Sequence, residues 1–428
     1  MRGTHLLLLA LLAGIAAVTF GAAGGGTTPA GAAGCTTIAG PSTLQATINA
    51  AGPGSVICMT PGVYLGSITI SNKQGITLQG SGRKDTIVAG GPHDGMLIFN
   101  SSDLTFENFM LFMGHPSDAY VYNSKNIVFQ QMDVAGGGIG IHYDVGSIGR
   151  ITDSFIYAIE GDGVLVRNHS NIVVQSNWIV NNGGVGVSTV GETATTAITR
   201  NIIANNKGPG AFAGQTPCAL LPPGLVEVPT CYLANLQAFV GDSNIILDSN
   251  IIQSNGSTGI VLFPGTRATM RNNHIWRNQL TGLFAWGGVV SSDGDEYSGN
   301  EEHAIEFRAY PDPLKYGQVG PNFPVRAVGR INNNDIHDSV VLAETGRLGG
   351  GVLAQGANLT VTNSHIHNNR GIGVSFVNTS LGDVSGNTID DNRGSAICIF
   401  HAGNVSTSGN TIYNNVDNVP GDCRETTP

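Results

Sequence analysis

Short apolar phrases recur along this chain at a nearly constant interval, each centred on an isoleucine. Ile156, Ile179 and Ile203 are 23 and 24 residues apart, Ile252 and Ile275 are 23 apart, and Ile366, Ile389 and Ile412 are again 23 apart. About eight residues after each comes a four-residue segment whose first and third positions are mostly apolar while the second and fourth vary. The set is Met96–Phe99, Ala119–Tyr122, Ile141–Asp144, Val164–Arg167, Val187–Val190, Ile260–Phe263, Leu283–Trp286, Ile305–Arg308, Val352–Gln355, Val374–Val377 and Ile397–Phe400. Alternation of this kind predicts strands with one buried face, and places the second and fourth positions toward solvent. A constant period of this length marks a stacked repeat in which each unit buries its apolar side only against its neighbours.

The punctuation agrees with a coil of strands. Asn177, Asn201, Asn250, Asn273, Asn334, Asn387 and Asn410 share one column, two residues before the isoleucine. Stacked amides at a turn can bond up and down such a coil, so this column is expected to be a structural ladder. Two Pro-rich stretches, 212–238 and 309–327, break the period and are expected as loops standing beside the coil. Before the first strands, Ser42 and Gln45 have capping-box spacing, with Leu44 and Ile48 on one side of a short helix.

Composition narrows the class. Gly is abundant at 61 residues and charged residues are only 12%, which suits a turn-dense all-β chain and argues against a helical solenoid. The formal charge is −10, with no basic stripe, so nucleic acid is not expected as a partner. Residues 1–23 have the charge and apolar run of a secretory signal, followed by a small-residue spacer over 24–41, and no later segment is long and apolar enough to span a membrane. An exported monomer is expected, extracellular, at the cell surface or periplasmic. The six cysteines form three sequence-local pairs, Cys35 with Cys58, Cys218 with Cys231 and Cys398 with Cys423, as expected of disulfides in an oxidising compartment. The coil is expected over 42–415, with a tail over 416–428.

The helix-forming start together with Pro61-Gly62-Val63-Tyr64 resembles the opening of the pectin-lyase-like superfamily. The resemblance implies a right-handed parallel β-helix with a short N-terminal capping helix. It implies no single activity, since that superfamily holds lyases, epimerases, hydrolases and binding proteins. The paired aspartates, Gly-His-Gly and Arg-Ile-Lys of polygalacturonases are absent as a set, and so is the Asp-Pro-His of mannuronan epimerases, of which His142-Tyr143-Asp144 is a loose echo.

Strand positions in neighbouring rungs lie about 4.8 Å apart, so side chains in one column touch. Tyr122, Asp144 and Arg167 are therefore expected in one line, with His142 about 7 Å to the side and Tyr120 next to it in the second-position column. Arg167 can neutralise a sugar carboxylate and acidify the neighbouring C5 proton, while His142 and Tyr122 can move protons. The expected substrate is thus a uronate-containing polysaccharide, the expected chemistry elimination or epimerisation. A non-catalytic binding solenoid is the alternative, and so is an inverting hydrolase pairing Asp144 with Asp162 or Glu160. Asp94 and Asp162 are candidate Ca²⁺ ligands. Phe263, Phe284, Trp286 and Arg308 are expected as more distant sugar contacts. On another face, Asp335, His337, His365 and His367 are candidate ligands for Zn²⁺ or Cu²⁺.

Overall fold

Three long parallel sheets wind around one apolar interior, as the alternation predicts. The structure is a computed structural model and describes residues 34–214, 243–309, 325–340 and 349–419. The signal segment, most of both Pro-rich stretches, Cys218, Cys231 and Cys423 lie outside the described residues. The first sheet has 15 strands, from Thr37–Ala39 to Val405–Ser408; the second has 13, from Ile68–Ser71 to Ile397–Phe400; the third has 14, from Gly62–Leu65 to Thr411–Tyr413. After Thr37–Ala39, which pairs with the next strand Val56–Met59, each strand pairs in parallel with the strand one full coil away, and the fold is a right-handed parallel β-helix. Among the described residues no helix is long and apolar enough to cross a membrane.

The isoleucine column forms the inner face of the third sheet. Ile156, Ile179, Ile203, Ile252 and Ile275 pair in unbroken register, as do Ile336, Ile366 and Ile389, and all are fully buried. Removing such a side chain costs about 2–5 kcal/mol through lost burial and the cavity left behind. The four-residue segments all fall in the second sheet. Where their third position is aromatic, the first sheet answers with glycine. A Cβ on Gly149 would meet the Tyr143 ring at 2.8 Å, and one on Gly382 would meet Phe376 at 2.6 Å.

The asparagine column is a continuous ladder. Asn201 is buried; its backbone N–H and side-chain amide both donate to Asn250 Oδ1, at 2.9 and 3.1 Å, and it accepts the same pair from Asn177. Asp295 occupies the same column between Asn273 and Asn334. A second ladder, five residues further on, runs through Asn182, Asn206, Asn255, Asn278 and Asn300 and resumes at Asn369, Asn392 and Asn415.

Several expectations need correction. The helix is Leu44–Ala50, its N-cap is Thr43, and no side chain caps it. Gln45 is drawn away from a capping box because its amide pairs with both backbone groups of Thr69, on the edge strand of the second sheet, at 2.8 and 2.9 Å. An edge strand with open N–H and C=O groups invites foreign pairing, and Gln45 closes it. The strand Thr37–Ala39 lies inside the expected spacer, and Ala211–Gly214 runs into the expected insertion; both continue the coil. Cys35, Cys58 and Cys398 are disulfide-bonded. The outward positions of the second sheet are not all solvent-facing. His142, Asp144, Leu165, Ser188, Val190 and Glu306 are buried, because side chains of adjacent rungs cover one another on this face.

Candidate active site

Register alone brings the sequence-derived cluster together. Tyr120 pairs with His142, and Tyr122 with both Phe99 and Asp144; His142 pairs in turn with Leu165, and Arg167 ends the following strand. All four strands belong to the second sheet, so Tyr120, Tyr122, His142, Asp144 and Arg167 project from one face.

The side chains are closer than column spacing suggests. Asp144 Oδ2 lies 3.8 Å from His142 Nε2 and 3.9 Å from the Arg167 guanidinium. Its other oxygen accepts from Asn168 Nδ2 and from the Val145 backbone N–H, each at 2.8 Å. One carboxylate therefore ties an imidazole, a guanidinium and the strand corner together. The Tyr120 ring sits 4.9 Å from the His142 ring, and Phe99 and Tyr122 pack about it at 6.1 and 6.3 Å.

Electrostatics sets the protonation states. Burial pushes His142 down to about 4; the Asp144 carboxylate pulls the other way and the Arg167 charge adds to the lowering. The imidazole is thus neutral near pH 7, and its Nε2 is buried with no hydrogen-bond partner. Tyr120 is pushed up to about 12, first by burial and then by the Asp144 charge, so it holds its proton. A neutral base, a protonated phenol and a cation share one face, which is the complement needed to move a proton beside an anionic group.

The corner after Asp144 is unusual. The corners of the neighbouring rungs carry Asn100, Asn123 and Asn168 at φ 46°, 46° and 40°, but here Val145 takes the left-handed conformation at φ 49°. Asparagine tolerates that region and a β-branched residue does not, so the backbone is strained beside the Asp144 carboxylate. Asn168 and the Val145 N–H were missed in the sequence; the break in the corner-asparagine pattern at Val145 was a visible signal.

The other candidates behave differently. Asp94 accepts the Ser117 N–H at 2.8 Å, and Asp162 accepts the Val185 N–H at 2.8 Å and the Ser188 hydroxyl at 2.7 Å. Burial raises both carboxyls above the usual range. Among the described residues neither belongs to a group of three or more converging His, Cys, Asp or Glu ligand atoms. Phe263, Phe284 and Trp286 form an aromatic run with Phe212, which the sequence reading missed, at ring separations of 5.4–6.3 Å. Arg308 lies over Phe284 at 5.7 Å and is paired with the buried Glu306. By register this run follows Arg167 along the same sheet, beginning at Phe212 two rungs on. The Pro-rich stretches expected to wall the groove lie outside the described residues. Asp335, His337, His365 and His367 gather on the third sheet, away from this face.

Residues 15–218 match the family described as "Rhamnogalacturonase A/epimerase, pectate lyase-like", and residues 320–421 match "Right handed beta helix region". No curated protein sequence matches the chain significantly. Among solved structures, the A-modules of two mannuronan C-5 epimerases from Azotobacter vinelandii are similar. One is 17% identical with a TM-score of 0.56, covering 87% of this chain and 94% of its own. The other is 16% identical with a TM-score of 0.54, covering 90% and 98%. At these identities the likeness is one of fold. In fold, the chain is a right-handed parallel β-helix.

Proposed function

We propose that the second-sheet cluster acts on a uronate-containing polysaccharide, abstracting the proton at C5. The observation that carries this reading is the neutral, unpartnered His142 Nε2 held beside the Asp144–Arg167 pair and the Tyr120 ring. Arg167 binds the sugar carboxylate and stabilises the charge that develops on it as C5 loses its proton. His142 Nε2 takes that proton. In elimination, the C5–H electron pair becomes the C4–C5 double bond, the C4–O bond breaks, and Tyr120 gives its proton to the leaving oxygen. In epimerisation the C4–O bond stays, and a proton returns to C5 from the opposite face. The Asp144 charge, 3.8 Å from Nε2, stabilises the imidazolium. Nε2 is shielded in the free protein, so the reading requires Tyr120 and Arg167 to part as the sugar enters. Catalytic contacts often tighten only in the substrate complex. The protein's likeness in fold to mannuronan epimerases is consistent with such a substrate, and the disulfide-bonded cysteines with an oxidising, extracellular setting.

An inverting hydrolase pairing Asp144 with Asp162 is less well supported, because both Asp162 oxygens are held, one by the Val185 N–H and the other by the Ser188 hydroxyl. The deciding experiment incubates the purified protein with polymannuronate, polyguluronate, polygalacturonate and neutral glycans. Ultraviolet absorbance from an unsaturated uronate marks elimination, and altered C5 configuration without chain cleavage marks epimerisation. New reducing ends without that absorbance, or binding without turnover, would replace this reading by the hydrolase or the binding solenoid.

A further inference from the structure

On the third sheet, away from the proposed sugar site, Asp335 pairs in register with His365, His337 with His367, and His367 with Asp390 on the next rung. Asp335, His365 and His367 each offer one ligand atom, and the three atoms lie within 4.8 Å of one another. Among the described residues they form the one group of three or more His, Cys, Asp or Glu side chains that converge in this way. Asp335 Oδ1 is 3.0 Å from His367 Nε2 and 3.8 Å from His365 Nδ1. Ligand atoms about 2.1 Å from a tetrahedral Zn²⁺ lie roughly 3.4 Å apart, between those two distances.

The surroundings hold the imidazoles in place. His365 directs its other nitrogen, Nε2, to the buried Asp390 carboxylate at 2.8 Å, the arrangement that fixes a ligating ring's tautomer and orientation. The His365 and His367 rings stack at 3.9 Å, and His337 stacks on His367 at 4.8 Å. His367 Nδ1 is 2.8 Å from the Asn368 amide, which with Nε2 on a metal would present its oxygen. His337 itself faces Asp338 at 2.8 Å and Glu296 at 3.4 Å, so it supports the rings instead of joining the ligand set.

We propose that Asp335, His365 and His367 bind one Zn²⁺ ion, with water in the remaining position, as a clip across two adjacent rungs. Two imidazoles and a single carboxylate select a borderline transition metal over the hard, all-oxygen cations. Binding should stabilise the C-terminal coils by mass action, because the unfolded chain offers no such preformed arrangement.

The test is titration calorimetry of untagged, chelator-treated protein with Zn²⁺, paired with thermal melts. One ion per chain is expected, with a rise in melting temperature; His367→Ala and Asp335→Asn should each weaken binding at least tenfold and abolish the rise, while His274→Ala should change neither. Circular dichroism checks that the variants keep the coil, and the conservative Asp335→Asn keeps the test decisive should His367→Ala fail to fold. Absence of binding to the wild type, or equal affinity in wild type and Asp335→Asn, overturns the proposal.

Discussion

The ring of Tyr120 lies 4.9 Å from that of His142 on the next rung, in direct register with it. This makes Tyr120, and not only Tyr122, the phenol best placed to exchange a proton beside the imidazole. Tyr120→Phe should therefore lower kcat by about 10²–10⁴, the usual worth of a positioned general acid, while Tyr122→Phe should cost markedly less. Equal losses in steady-state assays would return the acid role to Tyr122.

Arg167→Ala should reduce kcat/KM by about 10²–10³, roughly 3–4 kcal/mol of lost stabilisation of the developing charge. Gln355 lies distant in the same outward column, and Gln355→Ala should leave kcat/KM unchanged. A similar loss from both would mean that the column serves the coil alone.

Because His142 is held near 4, well below its ordinary 6.5, the base stays neutral in mildly acidic solution. The acid limb of kcat/KM set by His142 should fall well below pH 6.5, among the facing groups Asp144, Arg167, Tyr120 and Tyr122. The same shift affects stability. Between pH 6.5 and 4 the unfolded chain binds the proton more tightly, so this contribution to stability is lost as pH falls through that window. An acid limb near 6.5 in the pH–rate profile would show that the base is an exposed histidine.

Asp295 stands in a column of asparagines, and burial raises its carboxyl to about 6 against its hydrogen bonds to Ser292 and Asn273. The folded chain then holds this proton more tightly than the unfolded chain does. Stability falls as pH rises from the ordinary carboxyl range through 6, and the cost is complete above it. Asp295→Asn, which continues the ladder, should stabilise the fold at pH 8 by up to the order of 3 kcal/mol, seen as a higher melting temperature, and confer much less at pH 4. A variant no more stable at pH 8 would mean that Ser292 and Asn273 already offset the burial.

Val145→Asn restores the residue type found at the corners of the neighbouring rungs, Asn100, Asn123 and Asn168. Relief of the left-handed strain should stabilise the fold by about 1 kcal/mol, seen as a higher calorimetric melting temperature. An unchanged or lower midpoint would refute the strain at this corner.

Much of this was legible because a coil converts sequence period directly into contact. The isoleucine spacing located the third sheet, and one strand position per rung placed Tyr122, Asp144 and Arg167 in a line. What escaped depended on side-chain direction. Gln45 has capping-box spacing, yet it pairs with Thr69 because an open sheet edge offers two backbone partners at once. The burial of His142 was hidden for a similar reason: period-two alternation separates inner from outer faces, but does not reveal that outer side chains on neighbouring rungs cover one another. The second asparagine ladder could have been found, since Asn182, Asn206, Asn255 and Asn278 repeat with the same spacing as the first.

Abstraction of the C5 proton is the step that elimination and epimerisation share, and proton NMR of polyuronates in deuterated water observes it directly. With the wild-type protein the C5–H signal of a susceptible polyuronate should disappear, either into an unsaturated product or into a C5-deuterated epimer, and with His142→Ala it should persist. A wild-type protein that leaves every C5–H signal intact, or a His142→Ala variant that erases it at the same rate, would contradict the account.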